Sequence, residues 1–193
     1  MAAPLISLAE GIIEALVRRR ATGAVVAAAD TARAAVAVAD DWGVERALLA
    51  DDPVLGELGV GAALGGDGRE ILGWPEGRGN GWRELLGLEG PELTLGVTVP
   101  ALGVAERGTL VLESGPGHGR SIDVVSMYHL AVLPASRLRA TLAEALVETY
   151  AGGRAPSAVS LVSAPSRTSD IEKISTLGAH GAKGLHLLVV EDL

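Results

Sequence analysis

The residues of this chain that could do chemistry sit in polar clusters between apolar runs. The densest is Ser163 to Gly184, which reads S-A-P-S-R-T-S-D-I-E-K-I-S-T-L-G-A-H-G-A-K-G. It brings Ser166, Arg167, Thr168 and Asp170 within five residues and sets His180 in a glycine-flanked turn. Glu106 with Thr109 makes a second cluster, and Thr98 ends an apolar run of its own. Arg120 follows the flexible segment G-P-G-H-G. An arginine fork suits a carboxylate or phosphate, and a glutamate or histidine beside it can move a proton. The chemistry these types allow is capture of a small anion by Arg167, with Glu106 or His180 as the acid–base group. Thr98, Thr109, Ser166, Thr168 and Asp170 would line the site, and Arg120 would act as a mobile clamp. The competing account is a polar scaffold. In it Asp170 pairs with Arg167, His180 satisfies its own turn, and Arg120 is solvated.

Elements must hold these groups in place. Ser169 and Glu172 have capping-box spacing, which predicts a helix from there to Gly178. Ser166, Arg167 and Thr168 would then precede a helix N-terminus, where free N–H groups and the dipole favour anions. The apolar runs Ala158–Val162 and Leu185–Val190 read as flanking strands.

Elsewhere, residues 5–20 carry Leu5, Leu8, Ile12, Ile13, Leu16 and Val17 at helical spacing, for docking on this domain or on a partner. Ala24–Ala28 reads as a strand. A helix capped at Asp30 or Thr31 runs to Asp41, and Val44–Leu49 is the next strand. Residues 50–92 read as turn-rich, with Trp74 and Trp82 beside glycines. Strands are expected at Leu93–Val97, Thr109–Glu113, Ile122–Val125 and His129–Leu133, the last two as an edge hairpin. Pro100–Ala105 is expected as a helical turn, and Ser136 as the cap of a helix to Tyr150. Strands alternating with helices predict a parallel sheet, whose ligands bind beyond the carboxyl ends of its strands.

Composition narrows the function. Hydrophobic residues make 48% of the 193 and charged ones 21%, the balance of a chain with a real core. The net charge of −8 argues against nucleic acid and anionic membranes as partners. The chain has no cysteine, which removes a thiol nucleophile, Cys-ligated zinc and a thiolate-held iron–sulfur cluster from it. No apolar run reaches the roughly 18 residues of a membrane span, and Arg18–Arg20 follow rather than precede the first apolar stretch. A cytoplasmic protein is expected. His180 and His186 lack the spacing of a helical metal motif, and neither G-x-S-x-G nor G-x-G-x-x-G is present as a working motif.

Two blocks resemble the LUD domain family, that of lactate-utilisation protein C. One is G-V-T-V-P-A-L-G-V-A-E-R-G-T-L-V-L-E-S, Gly96 to Ser114. The other is P-S-R-T-S-D-I-E, Pro165 to Glu172, followed by G-A-H-G at Gly178 to Gly181. The stretch H-L-A-V-L-P-A-S-R-L from His129 also fits. Arg107, Ala164 and Ala182 depart from the family pattern, which usually has Thr, Gly and Pro there. The resemblance implies one LUD domain over residues 1–193. It implies an α/β fold of three layers, a mostly parallel sheet with helices on both faces, similar to sugar-phosphate isomerases and coenzyme A transferases. It also implies a part in oxidising L-lactate to pyruvate, with partner proteins that carry the iron–sulfur clusters and no cofactor in this chain. Two other readings remain open. One is a stand-alone isomerase or acyl transferase acting on a sugar phosphate or coenzyme A ester, with Glu106 as base or nucleophile. The other is an assembly scaffold without a ligand.

Overall fold

The computed structural model describes residues 5–74, 94–119, 122–153, 155–169, 175–177 and 181–193, with the backbone alone for 167–169 and 175–177. Its centre is a six-stranded sheet in the order β1-β12-β7-β4-β2-β3. The strands are β1 (Thr22–Val26), β2 (Arg46–Leu49), β3 (Glu70–Gly73), β4 (Thr94–Thr98), β7 (Tyr128–Pro134) and β12 (Gly184–Val190). Every pairing in it is parallel. Parallel strands are covered on both faces, so their sequences run apolar on consecutive residues. L-A-V-L of β7 and L-L-V-V of β12 show why these two lie inside the sheet rather than at its edges.

Alternation along the strands sends side chains to two cores. Leu95, Val97, Leu130, Val132, Leu188 and Val190 face helices α2 (Ala28–Asp41), α3 (Pro53–Glu57) and α4 (Val60–Gly66). Ala131, Leu133, Leu185, Leu187 and Val189 face the opposite way, onto Ala9, Ile12 and Leu16 of α1 (Leu5–Val17). The helix over residues 5–20 thus docks on its own sheet, while Leu5, Ile6 and Val17 stay exposed. Helices therefore cover both faces of a mostly parallel sheet, as expected.

A second sheet shares the α1 side, in the order β8-β5-β6-β9. It comprises β5 (Leu102–Val104), β6 (Thr109–Glu113), β8 (Leu138–Arg139) and β9 (Val159–Val162). Leu110 of β6 joins the α1 core. Leu102, Val104 and Val111 pack instead with Ala145 of helix α6 (Leu142–Thr149).

Several local expectations give way to tertiary contacts. Pro100–Ala105 is not a helical turn, because Leu102–Val104 pairs as β5 with β6. Ile122–Val125 is helix α5 rather than a strand, so no hairpin forms with β7. Gly96 lets α5 approach β4, since a Cβ there would collide with the carbonyl of Ile122 and the hydroxyl of Ser126. Asp30 and Thr31 lie inside the first turn of α2, and the Ala28 N–H is met by Asp192 Oδ1 at 2.7 Å, from the far end of the chain. Helix α6 begins at Leu142 under a capping box made by Thr141 and Glu144, not at Ser136. Leu138 is consequently a strand residue paired with Gly103.

The largest correction falls on the polar stretch itself. Arg167–Ser169 (β10) and Ser175–Leu177 (β11) form an antiparallel pair, with Arg167 opposite Leu177 and Ser169 opposite Ser175. A helix from Ser169 to Gly178 is excluded by that pairing. The capping-box spacing of Ser169 and Glu172 is a local signal, and strand pairing across the segment overrides it.

Candidate functional site

The loop Ser163–Ser166 leaves β9 and borders a cleft of about 250 Å3. The buried Asp123 and His129 line it together with Gly181 and Ala182, and so do the exposed Val124 and Leu161. The loop is tied down at both ends. Ser166 N donates to the Ala182 carbonyl at 2.7 Å, and the hydroxyls of Ser163 and Thr109 share a hydrogen bond of 2.7 Å.

His129 sits at the start of β7 and is 1% exposed. Its Nε2 meets Thr98 Oγ1 at 2.8 Å. Burial, and secondarily the charge of His118, push its pKa down to about 3, so the ring is neutral at physiological pH. Asp123 of α5 is displaced in the other direction. Burial raises its pKa, opposed more weakly by a backbone hydrogen bond and by His118. Its Oδ1 has no hydrogen-bond partner among the described residues. A carboxyl raised above its ordinary range, lining the same cleft as a neutral imidazole, is a candidate acid–base group.

Of the residues singled out in the sequence, Ser166 lines this cleft, and Thr98 and Thr109 contact residues that do. The two threonines hold His129 and Ser163. Glu106 lies elsewhere, in a 3-10 turn (Ala105–Arg107), and its Oε1 accepts from Leu142 N at 3.0 Å at the start of α6. Arg167 and Thr168 continue the chain from Ser166 as backbone of β10. Arg120, Asp170 and His180 lie outside the described residues. Sequence reasoning missed Asp123 and His129. A histidine opening the apolar run L-A-V-L was the available signal, because a buried polar group needs a partner and often a reason.

The cleft is not where the carboxyl-end rule places a ligand. It lies at the amino ends of β7 and β12, because its serine loop comes from the second sheet. Among the described residues no group of histidines and carboxylates is arranged to hold a metal ion. No helix among them is long and apolar enough to cross a membrane.

Fold and cleft together define an α/β protein whose parallel sheet meets a second sheet at a polar seam. The family model for the LUD domain matches residues 9–190, and the chain belongs to the LUD domain family. It is similar to "Lactate utilization protein C" of Halalkalibacterium halodurans, 30% identical over 80% of this chain and 66% of that protein. It is also similar to the uncharacterised protein YkgG of Escherichia coli, 32% identical over 85% of this chain and 71% of that protein. The chain thus spans about two thirds of the length of these relatives. A crystal structure of a DUF162 family protein from Deinococcus radiodurans superposes with a TM-score of 0.64 at 18% identity, covering 98% of this chain and 99% of that one, which establishes a shared fold.

Proposed function

We propose that this chain is the cluster-free subunit of an L-lactate utilisation system, and that it binds a small 2-hydroxy or 2-oxo acid in the cleft below Ser163–Ser166. The observation that carries the reading is family membership joined to relatives named for lactate utilisation. The cleft supports it chemically. Serine hydroxyls can hold a carboxylate or carbonyl oxygen, and Arg167 follows Ser166 directly in the chain. Asp123 is the acid–base group, a role the sequence had pointed to Glu106 and His180. With no cysteine in this chain, electrons from lactate pass to clusters on partner proteins.

Two measurements test the proposal. The first is growth on L-lactate after deletion of the gene, in a strain without another lactate dehydrogenase. Growth should fail and return with the wild-type gene, but not with Asp123→Asn. The second is calorimetric titration of the purified protein with L-lactate and pyruvate. Normal growth of the deletion strain would defeat the lactate role, whatever the titration shows. Turnover of a sugar phosphate or coenzyme A ester by the isolated protein would favour the stand-alone enzyme instead.

A further inference from the structure

A second cavity lies at the opposite end of the parallel sheet. Strands β2 and β4 are neighbours, but the chain leaves them on opposite faces. After β2 it enters α3 and α4, in the core beneath α2. After β4 it enters β5 and β6, in the cores on the other side. Such a divergence opens a crevice beyond the carboxyl ends of the two strands, the usual ligand position in open α/β sheets. The crevice is present, about 260 Å3 in volume, lined by Asp51, Asp52, Val99, Glu113, His118 and Arg137 among others. It shares no lining residue with the cleft at Ser163–Ser166.

Its walls are held in place. The G-P-G-H-G segment, read from sequence as flexible, is pinned on both sides. Gly117 O accepts from Asp51 N at 2.8 Å, and Pro116 O accepts from Trp74 Nε1 at 3.1 Å. Gly115 and His118 exchange two backbone hydrogen bonds, of 2.9 and 3.3 Å. Gly117 packs so closely on Asp51 that a Cβ would overlap its carbonyl.

Arg137 is the unusual group. The well-buried Arg69 is paired with Asp40 and Asp67, and the half-buried Arg139 with Glu148. Arg137 is half-buried too, yet no described carboxylate is within ion-pair distance of it. It donates to the Pro100 carbonyl at 3.1 Å through Nη1. No other described residue engages the fork, whose remaining N–H groups suit an oxyanion. His118 adds a buried Nε2 without a partner among the described residues, its Nδ1 being 3.2 Å from the Glu113 carbonyl. Asp52 is occupied at the start of α3, where it accepts from Val54 N. The surrounding carboxylates weigh against a dianion and offer acceptors for hydroxyl groups.

We propose that this crevice is a second ligand site, taking a small hydroxylated monocarboxylate whose carboxylate sits on Arg137 and whose hydroxyls reach Asp51 and His118. The proposal does not rest on the lactate role. Calorimetry of the full chain with D-glycerate, acetate and inorganic phosphate tests it. Glycerate should bind at millimolar concentration or better, and more tightly than acetate or phosphate. Arg137→Gln should weaken glycerate by about tenfold or more, and Arg137→Lys by less, as loss of a bidentate fork demands. Asp51→Asn, at the exposed rim, should erase the preference for glycerate over acetate. The Arg137-dependent part of glycerate binding should persist in Ser166→Ala, which alters only the other cleft. Equal glycerate affinity in wild type, Arg137→Gln and Arg137→Lys would overturn the proposal. So would silence from glycerate, or tighter binding of phosphate than of glycerate.

Discussion

The two sheets of this protein solve the burial problem differently. The parallel sheet is apolar on both faces, and its central strands carry side chains with no exposure, such as Leu130 and Leu187. The second sheet is buried through β5 and β6 but frays toward water at β9, where Leu161 is 47% exposed. The first sheet is therefore the more completely buried of the two, and polar groups collect where the second one meets it. Thr98, His129 and Asp123 are buried polar residues on the seam rather than in either core. The covered inner strands of the parallel sheet provide the wall, and a loop from the less covered sheet borders the cleft.

That contrast can be broken by substitution. Leu187→Ala in β12 should destabilise by about 2–5 kcal/mol, the cost of a large-to-small change in a closed core. Leu161→Ala in β9 should cost well under about 1 kcal/mol. Urea midpoints of the two variants measure the difference, and comparable losses would show that the sheets share stability evenly.

Acid offers a finer probe. His129 is held down to about 3 and His186 to about 4, both mainly by burial, against 6.5 for a free histidine. Below pH 6.5 the unfolded chain binds protons that the folded chain refuses. Stability should thus fall as pH drops from 6.5 toward 4, by at most about 1.4 kcal/mol per pH unit for each histidine. His129→Gln, which keeps a donor and acceptor for Thr98, should flatten the slope between pH 6 and 4 in chemical denaturation. An unchanged slope would mean that His129 is protonated in the folded state.

Asp123 reports on the seam from the other side. Its raised pKa means that the folded state binds its proton more tightly than the unfolded one does, so this group favours folding in acid and costs stability as pH rises. Asp123→Asn should leave stability at pH 7 equal or higher while lowering function, the pattern of a strained functional group. A loss of stability would make Asp123 structural. A small effect is expected at Glu106. Glu106→Gln should cost about 0.5–1 kcal/mol through the start of α6 and leave growth on lactate intact. Loss of growth without loss of stability would return Glu106 to the acid–base role.

The legible parts of the sequence were those where local pattern and tertiary demand coincide. The runs at His129–Leu133 and Leu185–Val190 are strands because a doubly covered sheet needs consecutive apolar residues, and that requirement is written in residue types. Helix 5–17 is legible for the same reason, since its apolar spacing matches the face it buries. Membership of the LUD domain family was legible from Gly96–Ser114 and Pro165–Glu172. Thr98, Thr109 and Ser166 stand out in the sequence as polar residues beside apolar runs, but the partners of the two threonines do not, because His129 and Ser163 reach them from neighbouring strands that are distant in sequence.

What only the tertiary structure decided lies where the same residues are compatible with two local forms. Ser169–Gly178 has a helix cap in its sequence and a strand pair in its structure, since hydrogen bonds between Arg167–Ser169 and Ser175–Leu177 outweigh a cap. Ile122–Val125 carries three β-branched residues, yet Gly96 leaves room for a helix. The divergence of the chain after β2 and β4, which opens the crevice at Arg137, follows from which face each connection takes, a choice made by packing and carried by no single stretch of residues.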